Sequence, residues 1–150
     1  MSERAPIPVR LKKGEREVIR VEGVKCVVDI PREGFLYPST QRLHHRGFLL
    51  LTDQRLISCG TTWSGVHVIE ASLDDVLGCK VEKPRFEDKL LSVKIRRMVW
   101  RFPGGETPIP FEPVPGEVIF VDIKQPEVLR SEIMEQVERY KKMAELARAR

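Results

Sequence analysis

Residues 46–57, RGFLLLTDQRLI, set three consecutive leucines directly before a polar pair and a second aliphatic run. Side chains on a strand alternate between faces, so Leu49, Leu50 and Leu51 cannot all enter one core. Both faces of such a strand must be covered, one by the core and the other by something else. The runs GFLLLT and RLISCG flank Asp53-Gln54, which predicts a tight hairpin about that pair. The favoured Asn-Gly or Asp-Gly is absent, so the turn type stays open.

The rest of the chain repeats the strand pattern. In REVIRVEGVKCVVDI, residues 16–30, Val24, Cys26, Val28 and Ile30 alternate with mostly polar or small neighbours. Gly23 interrupts the run and predicts a kink or bulge. Residues 31–46 hold two prolines and a Gly-Phe-Leu-Tyr cluster, and they read as a long loop. Beyond the hairpin, VHVIEASL, VLGCKVEK, KLLSVKIRRMVWRF and VIFVDIK supply four more strands. In the third of these, Leu91, Val93 and Ile95 share one parity while Met98, Trp100 and Phe102 share the other, so a register shift is expected at Arg96-Arg97. The Pro/Gly-rich stretch 103–117 reads as a loop, and its PIPFEP spacing as a stiffened turn.

The end of the sequence is helical. Pro126 suits a first helical position and Glu127 complements the helix dipole. Leu129, Ile133, Val137, Tyr140, Ala144 and Ala147 recur at steps of three and four, giving one apolar stripe. A helix of roughly 24 residues spans about 36 Å, so its last turns are expected to project beyond a small barrel. The predicted architecture is therefore mainly β: seven antiparallel strands in a barrel or sandwich, capped by one long C-terminal helix. Residues 1–12 read as a flexible leader and 13–148 as a single domain.

Composition excludes several classes. With 150 residues, 41% hydrophobic and 32% charged, the chain is long enough for a core and is not disordered. No apolar run approaches the roughly 20 residues of a membrane span, and MSERAPIPVR lacks a secretory h-region, which places the protein in the cytoplasm. A net charge of +4 is too weak to argue for nucleic acid, yet it suits peripheral visits to an anionic membrane. Cys26, Cys59 and Cys79 are odd in number and widely spaced, so they read as buried small hydrophobes. The chain has no asparagine and is rich in Arg, Glu and Pro, which points to a thermophilic source.

The series VIRVEGVKCVVD, GFLLLTDQRLI and IEASLDDVLGCKVE, followed by a strand and a terminal helix, resembles the PH-like superfamily in its GRAM and GLUE branches. G-x-L-L-L-T-x-x-R-L-I is the most telling piece, and with the upstream strand the closer match is the GLUE domain at the N-terminus of an ESCRT-II subunit. The resemblance spans roughly residues 11–145. It implies a split PH-like fold without catalysis or cofactor, binding phosphoinositides, ubiquitin or both. The sequence departs from the pattern in a longer loop at 31–46 and an unusual Pro-rich loop at 103–116.

Candidate lipid-binding residues are Arg32, Arg42, His44, His45 and Arg46, because the resemblance implies that the loop after the first strand meets the headgroup. Arginines grip phosphate bidentately, and Phe35, Leu36 and Tyr37 offer an apolar tip. The bland alternative is a solvated loop packed back on the barrel. Lys94 and Arg96, with Arg97, Arg101 and Lys89 nearby, are further lipid-binding candidates on a second basic face, or simply charge protection of an edge strand. Met134, Glu138, Lys141 and Met143 are the candidate partner-binding residues, since methionine beside an apolar seam suits adaptable protein contacts; packing at the core edge is the bland alternative for either methionine. His44 and His45 point in opposite directions on an extended chain, so no metal site is expected. Ser64, His67 and Asp74 or Asp75 lack a nucleophile elbow, and no triad is expected.

The function expected is a non-catalytic module of an ESCRT-II-like sorting complex. It would recognise ubiquitin or a ubiquitin-like protein, touch an acidic membrane lipid, and contact other subunits. One alternative is a GRAM-type membrane-lipid module unrelated to ubiquitin. Another is a scaffold domain docking through its C-terminal helix.

Overall fold

A computed structural model of the chain describes residues 9–32, 39–62, 65–85, 88–101, 114–121 and 123–149, without the side chains of 30–32, 39–43 and 114. Seven strands precede one helix: β1 (Glu17–Arg32), β2 (Ser39–Thr52), β3 (Arg55–Thr62), β4 (Gly65–Ser72), β5 (Val76–Glu82), β6 (Leu90–Arg101), β7 (Val114–Val121) and α1 (Pro126–Arg148). A short 3-10 turn, Leu73–Asp75, joins β4 to β5, with Ser72 Oγ accepting from the Asp74 N–H.

The strands form one antiparallel sheet in the order β4-β3-β2-β1-β7-β6-β5, and a further β4–β6 pairing closes it into a barrel. β4 and β5 share the same side of β6, β4 along Val99–Arg101 and β5 along Leu90–Ile95. The core holds Val28, Leu49, Leu51, Ile69, Leu91, Val93, Phe120 and their neighbours, and α1 adds Leu129, Ile133 and Val137. Among the described residues, no helix is long and apolar enough to cross a membrane.

The hairpin expected at Asp53-Gln54 forms, with β2 ending at Thr52 and β3 starting at Arg55. Leu49 and Leu51 enter the core. Leu50 faces the other way, into a second apolar cluster with Ile57, Cys59 and Val68, against which Val9 packs. The triple leucine is thus covered on both faces. Gly23, at φ 72°, sits at a register shift between Glu22 and Val24. The parity change in β6 is also present, as an irregularity between Ile95 and Met98 against β7.

Two expectations need correcting. Residues 114–117, read as the end of the Pro/Gly-rich loop, are the first half of β7, paired with β6. Residues 39–46 are not loop but the first half of β2, paired with β1 from Arg32↔Ser39 to Lys25↔Arg46. The prolines and Gly34 hid the alternation, yet Pro31 itself pairs in β1. The segment 33–38, with Phe35, Leu36 and Tyr37, lies outside the described residues, as do residues 102–113 and Ser64.

Candidate functional site: clefts beside the terminal helix

The T-x-x-R of the hairpin is first a structural device. Thr52 Oγ1 accepts from the N–H groups of Gln54 and Arg55 at 3.1 and 2.9 Å, and donates to Glu15 Oε2 at 2.7 Å. Arg55 then joins three segments. Its Nε and Nη2 donate to Glu15 at 2.8 and 3.0 Å, its Nη1 to Glu70 at 2.6 Å, and Nη2 also to the Arg10 carbonyl at 2.7 Å. The other Glu70 oxygen takes Arg101 at 2.8 Å. Burial alone would raise the Glu15 carboxyl, but hydrogen bonds from Arg55, Thr52 and the Lys12 N–H outweigh it and hold it at about 2. Burial would lower the Arg55 guanidinium, and the two carboxylates raise it instead. Val9, Arg10 and Lys12, assigned to the leader in the sequence reading, are therefore tied to the barrel.

A second polar group lies inside the barrel. His45, paired across β1 with Cys26, turns inward and bonds Ser58 Oγ through Nε2 at 2.9 Å. The Trp100 Nε1–H donates to His67 Nδ1 at 3.1 Å, so a neutral His67 carries its proton on Nε2, facing Thr62 Oγ1 at 2.8 Å. Burial lowers His67, and burial together with the like-charged His67 lowers His45 to about 4. An unfolded imidazole, at its ordinary 6.5, takes a proton in this range that folded His45 refuses. Stability is therefore full above about pH 6.5 and falls by about 3 kcal/mol as the pH drops through about 4. Urea unfolding at several pH values should show this slope in the parent and a shallower one in His45→Gln. Equal slopes would rule His45 out as the cause. Glu15 titrates lower, losing its contribution as the pH falls from 4.5 towards 2, so the two windows overlap only near pH 4.

The helix packs against β5, β6 and the 3-10 turn, which is hydrogen-bonded to the β2–β3 turn through the Leu73 N–H and the Gln54 carbonyl. On one flank Arg130 Nε donates to the Cys79 carbonyl of β5 at 2.8 Å, and Met134 and Lys141 follow on that side. On the other flank a groove of about 630 Å³ runs between Gln136, Tyr140 and Met143 and the Arg16–Val18 and Asp53–Gln54 segments. Abutting it is a cleft of about 250 Å³ bordered by Lys12, Arg55, Glu70, Asp75 and Arg97. Gln54 and Tyr140 line both. The last helical turns project, leaving Met143 67% and Leu146 62% exposed.

Against this geometry the expected site residues divide. Arg32 and Arg42 stand on β1 and β2, with their side chains outside the described residues. His44 and Arg46 are exposed on the outer face of β2, whereas His45, 3% exposed, cannot reach a headgroup at the surface. Lys94 is exposed, but Arg96 donates to Asp75 at 2.9 Å and lies near Asp74 at 3.6 Å. Lys89 pairs with Glu127. Much of the supposed basic face is therefore internally neutralised. Met134 and Met143 are nine positions apart, two and a half helical turns, so they face opposite directions. Met134 packs at the core edge, Glu138 and Lys141 are solvated, and only Met143 of the four lines the groove. Sequence reasoning missed Lys12, Gln54 and Tyr140 as cleft residues. Tyr140 alone carried a signal, as the polar-tipped aromatic of the helical stripe.

A comparison of the chain with protein-family models and with curated proteins finds no match.

Proposed function

We propose that this chain is a PH-like, GLUE-type binding module that holds ubiquitin or a ubiquitin-like protein without catalysis, within an ESCRT-II-like assembly. The observation that carries the reading is the strand order β4-β3-β2-β1-β7-β6-β5, closed through β4–β6 and capped by a C-terminal helix. The resemblance in VIRVEGVKCVVD and GFLLLTDQRLI implies a seven-stranded antiparallel barrel with such a helical cap. The projecting end of α1, with Met143 and Leu146 exposed, supplies apolar surface of the kind protein contacts use. Burial pushes Cys26 and Cys79 up to about 12 and Cys59 to about 11, so none of the three is poised as a thiolate nucleophile.

The test is an NMR titration of the labelled domain with ubiquitin from the same source. Saturable shifts clustered on α1 and the strands beside it are expected. A flat titration at millimolar ubiquitin removes this reading.

One observation favours a second reading, a membrane-lipid module. His44 and Arg46 share the outer face of β2, and Arg46 pairs in register with exposed Lys25 on β1. Sedimentation with anionic liposomes should then fall with added salt and with Arg42→Glu plus Arg46→Glu. Binding that ignores both changes would exclude it.

A further inference from the structure

We infer that the two abutting clefts form one channel for an extended acidic segment of a partner protein, seating an aliphatic side chain at the Met143 end and a carboxylate between Lys12 and Arg97. Continuity comes first: Gln54 and Tyr140 line both clefts, so a ligand leaving one enters the other.

Charge decides the polar end. Both oxygens of Glu70 are taken, by Arg55 and by Arg101, and Asp75 is held by Arg96. Lys12 and Arg97, exposed at the same cleft, have no ion-pair partner among the described residues. An incoming carboxylate meets two uncommitted cations, and the carboxylates already there are compensated. Such a contact is charge-assisted, and with Arg97 it can be bidentate.

The other end is apolar but not greasy. Met143 is a flexible, polarizable side chain that adapts to an aliphatic group, and half-buried Val18 backs the groove. Between the ends, the Gln54 amide carries both donors and an acceptor, which suits a peptide backbone. At the Met143 end Glu17 and Asp53 offset Arg16 and Arg139, so that end has no net positive charge to draw an anionic bilayer. A peptide segment therefore fits better than a membrane. The inference stands apart from ubiquitin, whose titration is read separately.

The experiment selects phage-displayed random peptides on the immobilised domain and titrates a synthetic copy of an enriched peptide into labelled protein. Enriched sequences should place an aliphatic residue a few positions from Asp or Glu, and should shift the amides of Gln54, Arg97, Tyr140 and Met143. Lys12→Glu with Arg97→Glu, both at exposed positions, should weaken binding roughly tenfold, and Met143→Asp should weaken it independently. Three outcomes overturn the inference. They are selection without acidic residues, equal binding to the double variant, and a response of these amides to phosphatidylserine vesicles but not to peptide.

Discussion

Arg55→Met is expected to lower the unfolding free energy by about 3–5 kcal/mol, the range for removing one partner of a buried ion pair. Methionine keeps much of the stem's packing, so the loss is electrostatic. Glu15, whose side chain is 0% exposed, retains only Thr52 and the Lys12 N–H, while Glu70 keeps Arg101. The Arg10 carbonyl also loses its donor. Urea midpoints near neutral pH measure the effect. Adding Glu15→Gln should recover part of it, because a neutral amide is less costly to strand than a carboxylate. The gap between parent and Arg55→Met should narrow as the pH falls from 4.5 towards 2, where the parent loses its Glu15 contribution and the variant gains a proton it favours. A loss under about 1 kcal/mol would show that the network is ornamental.

Gly47→Ala should be comparably damaging, costing about 3 kcal/mol, the upper end of the usual overpacking range. A Cβ there would stand 2.0 Å from the Cys59 carbonyl oxygen and 2.6 Å from the Gly60 Cα. Both are backbone atoms of the strand it pairs with, so no side chain can swing aside, and β2 and β3 would have to part. Gly78→Ala is the control, since nothing lies within 4 Å of its added Cβ. It should change stability by less than about 0.5 kcal/mol. Thermal unfolding of both variants decides the matter, and similar melting temperatures would contradict the close approach.

Local chemistry made much of the fold legible. The Asp53-Gln54 turn, the stripe from Leu129 to Val137 and the parity change at Arg96-Arg97 each lie within a few neighbouring residues. The first half of β2 was illegible because its mate, the end of β1, carries Pro31, and prolines at 31 and 38 read as loop. The Glu15–Arg55–Glu70 network could not be seen because its members are far apart in sequence and meet only once β1 to β4 are paired. The candidate site suffered in the same way. Arg96 looks basic in sequence, but the 3-10 turn brings Asp74 and Asp75 to it. His45 looked like half of a surface pair until strand parity sent His44 outward and His45 into the barrel.

The β1–β7 pairing governs how this protein can be made. Lys25 waits for Val121 and Asp29 for Glu117, so the first strand meets its second neighbour only after β2 to β7 have been made. The hairpins from β1 to β4 can form early, but their inner face, with Leu49, Leu51 and Ile69, has nothing to pack on until β6, β7 and α1 arrive. A ribosome feeding the chain out from its N-terminus therefore leaves that face wet until those later elements emerge. Such long-range closure is slow compared with local hairpin formation, and the nascent chain is an obvious client for whatever shields apolar sheets in its cell.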